Sequence, residues 1–349
     1  MRAMLFDIWA QHRSNRSFGD VDVTFINPRR YLAEREMQST DALVKSYLSR
    51  SPGMLEFLSE VKTLLRREKF DVMAAHQNPF PPEWLIQEGV GVTRVLGCFD
   101  DPHATYTRTL PAMVAYQGAY FCSPSFSHER LTKDVFLDFG IPYTHWFPLA
   151  RDEFSSDHMR SIEENWSNRE NLVVYVGKCY GDKVGRLALI NSRFGRRFRL
   201  HGRGWPLGGL GGFVAPLRGR RFLPRVVRSL ADQERRNLYL TSLIGFNLHL
   251  GNEAETGNMR MYETTSHGML LLCDRGGCNA HEGIFEPGVE ALYYESMDEA
   301  VSIIERCFSD REYAINIARR GYARAKTSYN YEKVISDLFS WAGTIPGPA

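Results

Sequence analysis

The sequence predicts an α/β fold of two Rossmann-like domains, each a parallel sheet wrapped by helices, and three observations lead there. Its 349 residues exceed what one ordinary hydrophobic core organises, so two domains are expected. Short β-type runs alternate with helix-type segments through both halves of the chain. After "FPLA" the chain turns from apolar to charged over "RDEFSSDHMRSIEENWSNREN", and a fresh β-type run then begins at 172.

In the first half the β-type runs are VTFIN at 23, FDVMAA at 70, TRVLGCF at 93, AYFCS at 119 and YTHWFPLA at 143. Met54, Leu58, Val61 and Leu65 recur at helical spacing and run into a basic RREK, which suits a helix carboxyl terminus. A helix over 128–139 is expected to turn Leu131, Val135 and Phe139 inward and to stop at Gly140 and Pro142. In the second half the runs are LVVYVG at 172, FRLHG at 198, SLIGFNLHL at 242, MLLLCD at 269 and ALYY at 291. Capping boxes, Ser296 with Glu299 and Ser309 with Glu312, start two late helices. The expected domains are 1–150 and 151–335, with 336–349 a helix end and a Gly/Pro tail.

Composition narrows the function classes. With 43% hydrophobic and 24% charged residues and a mean hydropathy of −0.34, the chain is an ordinary globular one rather than a disordered one. A formal charge of +2 supplies no global field toward nucleic acid or membrane. Six cysteines without a C-x-x-C pair read as buried free thiols of a reducing compartment. The amino terminus lacks the apolar core of a signal peptide, and no apolar run approaches a membrane span. A cytoplasmic protein is expected.

Doubly wound sheets bind ligands at the carboxyl ends of their strands. After LVVYVG come Gly177, Lys178 and Lys183; a glycine there admits a ligand to the backbone, and two lysines five apart can meet one diphosphate from two sides. Two merely solvated lysines are the alternative. After FRLHG, with Gly202 and Arg203, comes a glycine-rich stretch without G-x-G-x-x-G spacing. Ten arginines and no acid lie between Arg193 and Arg228, which suggests an anionic visitor such as a nucleotide diphosphate, an anionic membrane or a nucleic acid, unless acidic partners lie elsewhere in the fold.

The stretch EAETGNMRMYETTSHGMLLLCD places Glu255 in a loop, Glu263 inside a short helix and Gly268 at its stop. Gly257 and Asn258 lie where a helix amino terminus would offer free amides to a phosphate or a sugar hydroxyl. Glu263 is suited to accept from the vicinal diol of a ribose, or else pairs with Arg260 at i,i+3.

Glu255-x7-Glu263 followed by Gly268 resembles the E-x7-E signature of retaining group 1 glycosyltransferases of the GT-B fold. Gly177-Lys178 with Lys183 resembles that family's diphosphate clamp, with Lys where Arg is usual. FNLHL, Arg260-Met261-Tyr262-Glu263, IFEPGVEALYY and VLGCFDDP resemble segments of its spore-maturation-protein (CgeB-like) subgroup. The resemblance covers most of residues 70–340. Between MLFDIW and VTFIN there is little room for the family's first helix, so the start is expected to be shortened or rearranged.

The resemblance implies a GT-B architecture, two Rossmann-like domains with a donor cleft between them. It implies a retaining, hexosyltransferase-type enzyme that moves a sugar from a nucleotide diphosphate sugar to a glycan, lipid-linked or other hydroxyl acceptor, without metal or separate cofactor. Lys178 and Lys183 would steady the leaving diphosphate, Glu255 would grip the sugar and Glu263 the ribose, with Gly177, Gly202, Arg203, Gly257, Asn258, Met259 and Arg260 also around the donor. Arg260 would touch the phosphate or steady Glu263. His76, Asp100, Asp101 and His103 end strands on the acceptor side, His76 where a sugar-contacting histidine is implied. Alternatives are a nonhydrolysing sugar-nucleotide epimerase, a nucleic-acid-directed glycosyltransferase or binder using the arginine-rich face with Trp205 and Phe222, and a carbohydrate-binding pseudoenzyme. Peripheral contact with the inner face of a membrane through Arg193–Arg228 is a further expectation.

Overall fold

The computed structural model describes residues 1–7, 15–99, 105–122, 130–150, 154–179, 183–205, 227–249, 258–275 and 283–347. The chain divides into two compact units: unit 1 is Met1–Pro148 with Glu332–Ala349, and unit 2 is Leu149–Tyr331.

Unit 1 holds strands β1 (Arg2–Phe6), β2 (Asn15–Phe18), β3 (Val21–Ile26), β4 (Val72–Ala75), β5 (Thr93–Cys98), β6 (Gly118–Phe121) and β7 (Tyr143–Trp146). They lie in the order β2-β3-β1-β4-β5-β6-β7, parallel except for the edge strand β2, which runs antiparallel to β3. The β2–β3 hairpin turns at Gly19, whose φ of 57° favours glycine. This hairpin occupies the sequence in which a first helix had little room. Helices α1 (Thr40–Leu48), α2 (Pro52–Arg67), α3 (Pro82–Glu88), α4 (Leu110–Met113) and α5 (Thr132–Asp138) belong to the same unit.

Helix α2 buries Met54, Phe57, Leu58, Val61 and Leu64 against the core, close to the expected stripe. Helix α5 departs from expectation: Val135 and Phe136 are buried, whereas Leu131 and Phe139 are 44% and 48% exposed. The helix starts after Leu131 and ends before Phe139, so neither shares the face that its regular turns bury.

The last helix, α12 (Tyr331–Ala342), groups with unit 1 rather than with the domain that precedes it in sequence. Its Trp341 stacks on His145 of β7 at a ring separation of 5.0 Å, and Trp341 and Ile345 pack over Gly118 of β6. Residues 332–335, expected with the second domain, and 336–349, expected as a helix end and tail, therefore belong to the first core, because apolar partners for Trp341 and Ile345 lie there.

Unit 2 is a parallel sheet of β8 (Glu170–Val176), β9 (Phe198–His201), β10 (Ser242–Asn247), β11 (Leu270–Asp274) and β12 (Leu292–Tyr294), ordered β12-β11-β10-β8-β9. Helices α6 (Ser156–Asn165), α7 (Lys183–Phe194), α8 (Asp232–Thr241), α9 (Met259–Ser266), α10 (Met297–Ser309) and α11 (Arg311–Ser328) surround it. Every residue of β10 and β11 is buried, as befits central strands of a sheet covered on both faces. Arg169, 2% exposed, donates to the carbonyls of Tyr239, Ser242 and His267 at 2.9, 2.6 and 2.6 Å, tying α8, β10 and α9 together.

Ser296 caps α10 by accepting from the Glu299 amide at 3.1 Å, but the Glu299 carboxylate accepts from the Glu295 amide instead of closing the box. At α11 the cap is Asp310, which accepts from Tyr313 N at 3.0 Å; Ser309 ends α10 and donates to the Arg306 carbonyl. Cys98, Cys122, Cys179, Cys273 and Cys307 are free thiols. Among the described residues no helix is long and apolar enough to cross a membrane.

Candidate active site

The strand order of unit 2 reverses between β8 and β10, since the chain leaves β8 for β9 on one side and continues from β10 on the other. A crevice at such a switch point is where open parallel sheets bind ligands. Arg260, in the first turn of α9, bridges it: Nε donates to the Val176 carbonyl at 2.8 Å and Nη1 to Asn247 Oδ1 at 2.7 Å. Its guanidinium also lies 4.1 Å from the centre of the Tyr175 ring, a cation–π contact. Arg260 thus joins the ends of β8 and β10. It does not steady Glu263, which pairs with Arg235 of α8, Nη1 to Oε1 3.4 Å.

Beyond β8 and β9 the ladder continues, with Gly177 N donating to His201 O at 2.9 Å and Cys179 N to Arg203 O at 3.0 Å. Trp205 closes it by donating from Nε1 to the Gly177 carbonyl at 2.8 Å. A side chain on Gly177 would collide with the Arg260 guanidinium; one on Gly202, at φ 138°, would collide with the Gly177 carbonyl. Gly202 is therefore required by its backbone conformation and by close packing on Gly177, whereas at Gly177 the obstacle is the end of the Arg260 side chain.

The two lysines differ in setting. Lys178 is exposed just after β8, whereas Lys183 is 4% exposed as the first residue of α7. The Cys179 thiol feels Lys183: burial pushes its pKa up, and the ammonium partly opposes this. Arg203 is exposed.

Asn258 is the N-cap of α9, and its Oδ1 accepts from Arg260 N at 3.1 Å, so that amide is satisfied within the protein. Met259 follows, half-buried, and Glu263 lies one turn further in, 8% exposed. Gly268, at φ 68°, ends the helix as expected.

At the neighbouring strand ends Asp274, the last residue of β11, accepts from His249 N and lies 2.8 Å from His249 Nδ1. Arg186 of α7 approaches the same carboxylate at 3.9 Å. Asn247 donates to Cys273 Sγ at 3.2 Å, and Tyr294 donates to the Asn247 carbonyl at 2.9 Å. His249, Cys273 and Asp274 bring one potential ligand atom each within 4.8 Å of one another. Burial, reinforced by Asp274, pushes the Cys273 thiol well above its ordinary value.

In unit 1 His76 directly follows β4, 2% exposed, with Nδ1 3.1 Å from the Tyr120 hydroxyl and Nε2 3.8 Å from Asp7. Phe99, Tyr120 and Phe147 enclose the ring, and burial lowers its pKa against the opposing pull of Asp7. Glu255, Gly257, Asp100, Asp101 and His103 lie outside the described residues, as do Phe222 and the arginines from 218 to 225. Of the remaining arginines, Arg193 pairs with Glu305, Arg228 with Glu234, and Arg197 stacks over Phe308. Acidic partners from other segments thus account for two of them.

Arg235, His249 and Asp274 are outside the expected site residues, and Asn247 enters there only as the asparagine of FNLHL. A carboxylate closing the apolar run MLLLCD was the one available signal, since a charge on a buried strand needs partners. Arg235 sits in a polar helix that gives none.

Residues 186–340 match a protein family described as glycosyl transferase-like. No curated protein matches the chain in sequence. Solved structures match along nearly its whole length. A UDP-forming α,α-trehalose-phosphate synthase from Burkholderia xenovorans aligns with TM-score 0.58 and 13% identity over 99% of this chain and 98% of that one. Sucrose-phosphate synthase from Thermosynechococcus elongatus aligns with TM-score 0.55 and 12% identity over 97% and 87%. HepE of Anabaena, in complex with UDP-glucose, aligns with TM-score 0.52 and 14% identity over 97% and 100%. The fold is that of the GT-B glycosyltransferases, two Rossmann-like units in one chain.

Proposed function

We propose that the protein is a glycosyltransferase that takes a sugar from a uridine diphosphate sugar and passes it to an acceptor hydroxyl with retention of configuration and without a metal. The observation that carries this reading is at the unit 2 switch point, where Arg260, in the first turn of α9, joins the ends of β8 and β10, while buried Lys183 opens α7, the helix that follows β8 in sequence, and acts on Cys179 just past β8. The family match over 186–340 and the likeness to UDP-sugar enzymes support it.

Chemically, the bond between the anomeric carbon and the diphosphate oxygen breaks as a bond to the acceptor oxygen forms on the same face. The acceptor proton passes to an oxygen of the departing diphosphate. The developing charge is largest on that diphosphate, so preorganised cations there lower the barrier most. Lys183, fixed and desolvated at the start of α7, is suited to this; Lys178, exposed beside it in sequence, contributes less because solvent screens it. These cations take the part that a divalent metal plays elsewhere. Glu255 grips the donor sugar and Glu263 the ribose.

Thermal unfolding with UDP and a panel of UDP-sugars tests the donor assignment, because a ligand of the folded state raises its apparent stability. The donor that stabilises is then offered to hydroxyl acceptors with a chelator present, and the anomeric configuration of the product is read by NMR. Absence of stabilisation by any nucleoside diphosphate or its sugar overturns the reading; an inverted product or chelator-sensitive turnover overturns the mechanism alone.

A further inference from the structure

Glu263 is a buried carboxylate in the second turn of α9, and a cation of a different helix, Arg235 of α8, pairs with it. Arg235 Nη1 lies 3.4 Å from Glu263 Oε1, while Nη2 lies 3.1 Å from Asp232 Oδ1 one turn back on α8. The start of α8 is itself tied to the end of β9. Gly202 N donates to the Arg228 carbonyl at 3.0 Å, and Arg228 holds Glu234 through two hydrogen bonds of 2.8 and 2.7 Å. Glu234 in turn accepts from Ala231 N at 3.0 Å, closing the α8 amino terminus. The first turns of α8 and α9 thus belong to the same strand-end rim as Gly177 and Gly202.

We propose that Arg235 is a positioning residue for the ribose subsite: by holding Oε1 of Glu263 it fixes the carboxylate plane, so that the chain selects nucleotides with an intact 2′,3′-diol. This rests on the reading of Glu263 given above. A carboxylate can serve a vicinal diol only if its plane is fixed, since each side chain immobilised on binding opposes affinity. Arg235 performs that ordering beforehand. It also offsets the cost of placing a carboxylate out of water, which a lone Glu263 would bear in full. Arg235 does not itself need to touch the nucleotide.

The test compares UDP with 2′-deoxy-UDP by titration calorimetry in the full chain and in Glu263→Gln, Arg235→Gln and Arg235→Met, each checked by thermal unfolding. The methionine variant keeps the apolar stem, so a charge-free variant is available if the glutamine one does not fold. The wild type prefers UDP by about tenfold or more, Glu263→Gln abolishes that preference, and the Arg235 variants lower it by about threefold or more while 2′-deoxy-UDP affinity scarcely moves. A merely structural arginine would weaken both ligands alike. If Glu263→Gln loses the preference and a folded Arg235 variant keeps it, the inference on Arg235 fails alone. If Glu263→Gln keeps it, the ribose assignment of Glu263 fails and the inference with it.

Discussion

Both carboxylate oxygens of Asp274 accept from the backbone N–H of His249, at 3.0 Å each, and one also lies 2.8 Å from His249 Nδ1. Asp274 thereby holds the chain just past β10, two strands' ends locked by one side chain. Residue 250, where the segment carrying Glu255 begins, follows directly in sequence. Asp274→Asn keeps the shape but offers one acceptor oxygen in place of two. The expected cost is about 1–3 kcal/mol of stability, read from urea unfolding, with weaker UDP binding alongside.

Gly177 and Arg260 form a second coupled pair. Gly177→Ala places a methyl against the guanidinium and is expected to destabilise by about 1–3 kcal/mol. Because the guanidinium is the obstacle, adding Arg260→Ala relieves part of that cost, and a double-mutant cycle should return a coupling of about 0.5–3 kcal/mol. Gly202→Ala meets the backbone of Gly177 instead, so Arg260→Ala gives it no relief. Equal relief in both cycles would contradict this geometry.

The two lysines should separate in kinetics. Lys183→Gln is expected to lower kcat by about 100-fold or more, the scale of losing one preorganised charge at a developing anion. Lys178→Gln should fall by about tenfold at most, given the screening of an exposed ammonium. Steady-state kinetics with both variants checks the order; the reverse order would move the diphosphate away from the start of α7.

His76 makes stability depend on pH with a definite sign. Burial, partly opposed by Asp7, lowers its folded-state pKa below 6.5, so the unfolded chain takes up a proton first as pH falls. Stability from neutral His76 is therefore complete above 6.5 and is lost as pH falls from 6.5 toward the folded value, with a slope of up to about 1.4 kcal/mol per pH unit. Urea unfolding of the wild type and His76→Gln between neutral and mildly acidic pH measures it. The difference between the two slopes, not either alone, reports His76, since His145 and His201 are also lowered by burial.

The β-type runs of both halves are strands, and the helix expected between Asn258 and Gly268 spans Met259–Ser266 with both ends correctly placed. Sequence and structure part where a local pattern is compatible with two conformations. RAMLF is a strand although a Met- and Ala-containing run of five carries little β signal, and Ser309 and Asp310 both had the chemistry of a cap. The resemblance to an E-x7-E signature singles out this helix without saying what each charge on it faces.

The sequence by itself determined the two-unit α/β plan, the strands and the residue types that follow their ends, because period, turn residues and apolar runs act over a few neighbours. Tertiary structure decided the pairings. Arg260 reaches Val176 across 84 residues, His249 finds Asp274 across 25, and Glu263 takes Arg235 from another helix instead of Arg260 from its own turn. It also gave the last helix to the first unit. These choices depend on which strands lie side by side and which helix faces cover them, and no short window of sequence contains both members of such a pair.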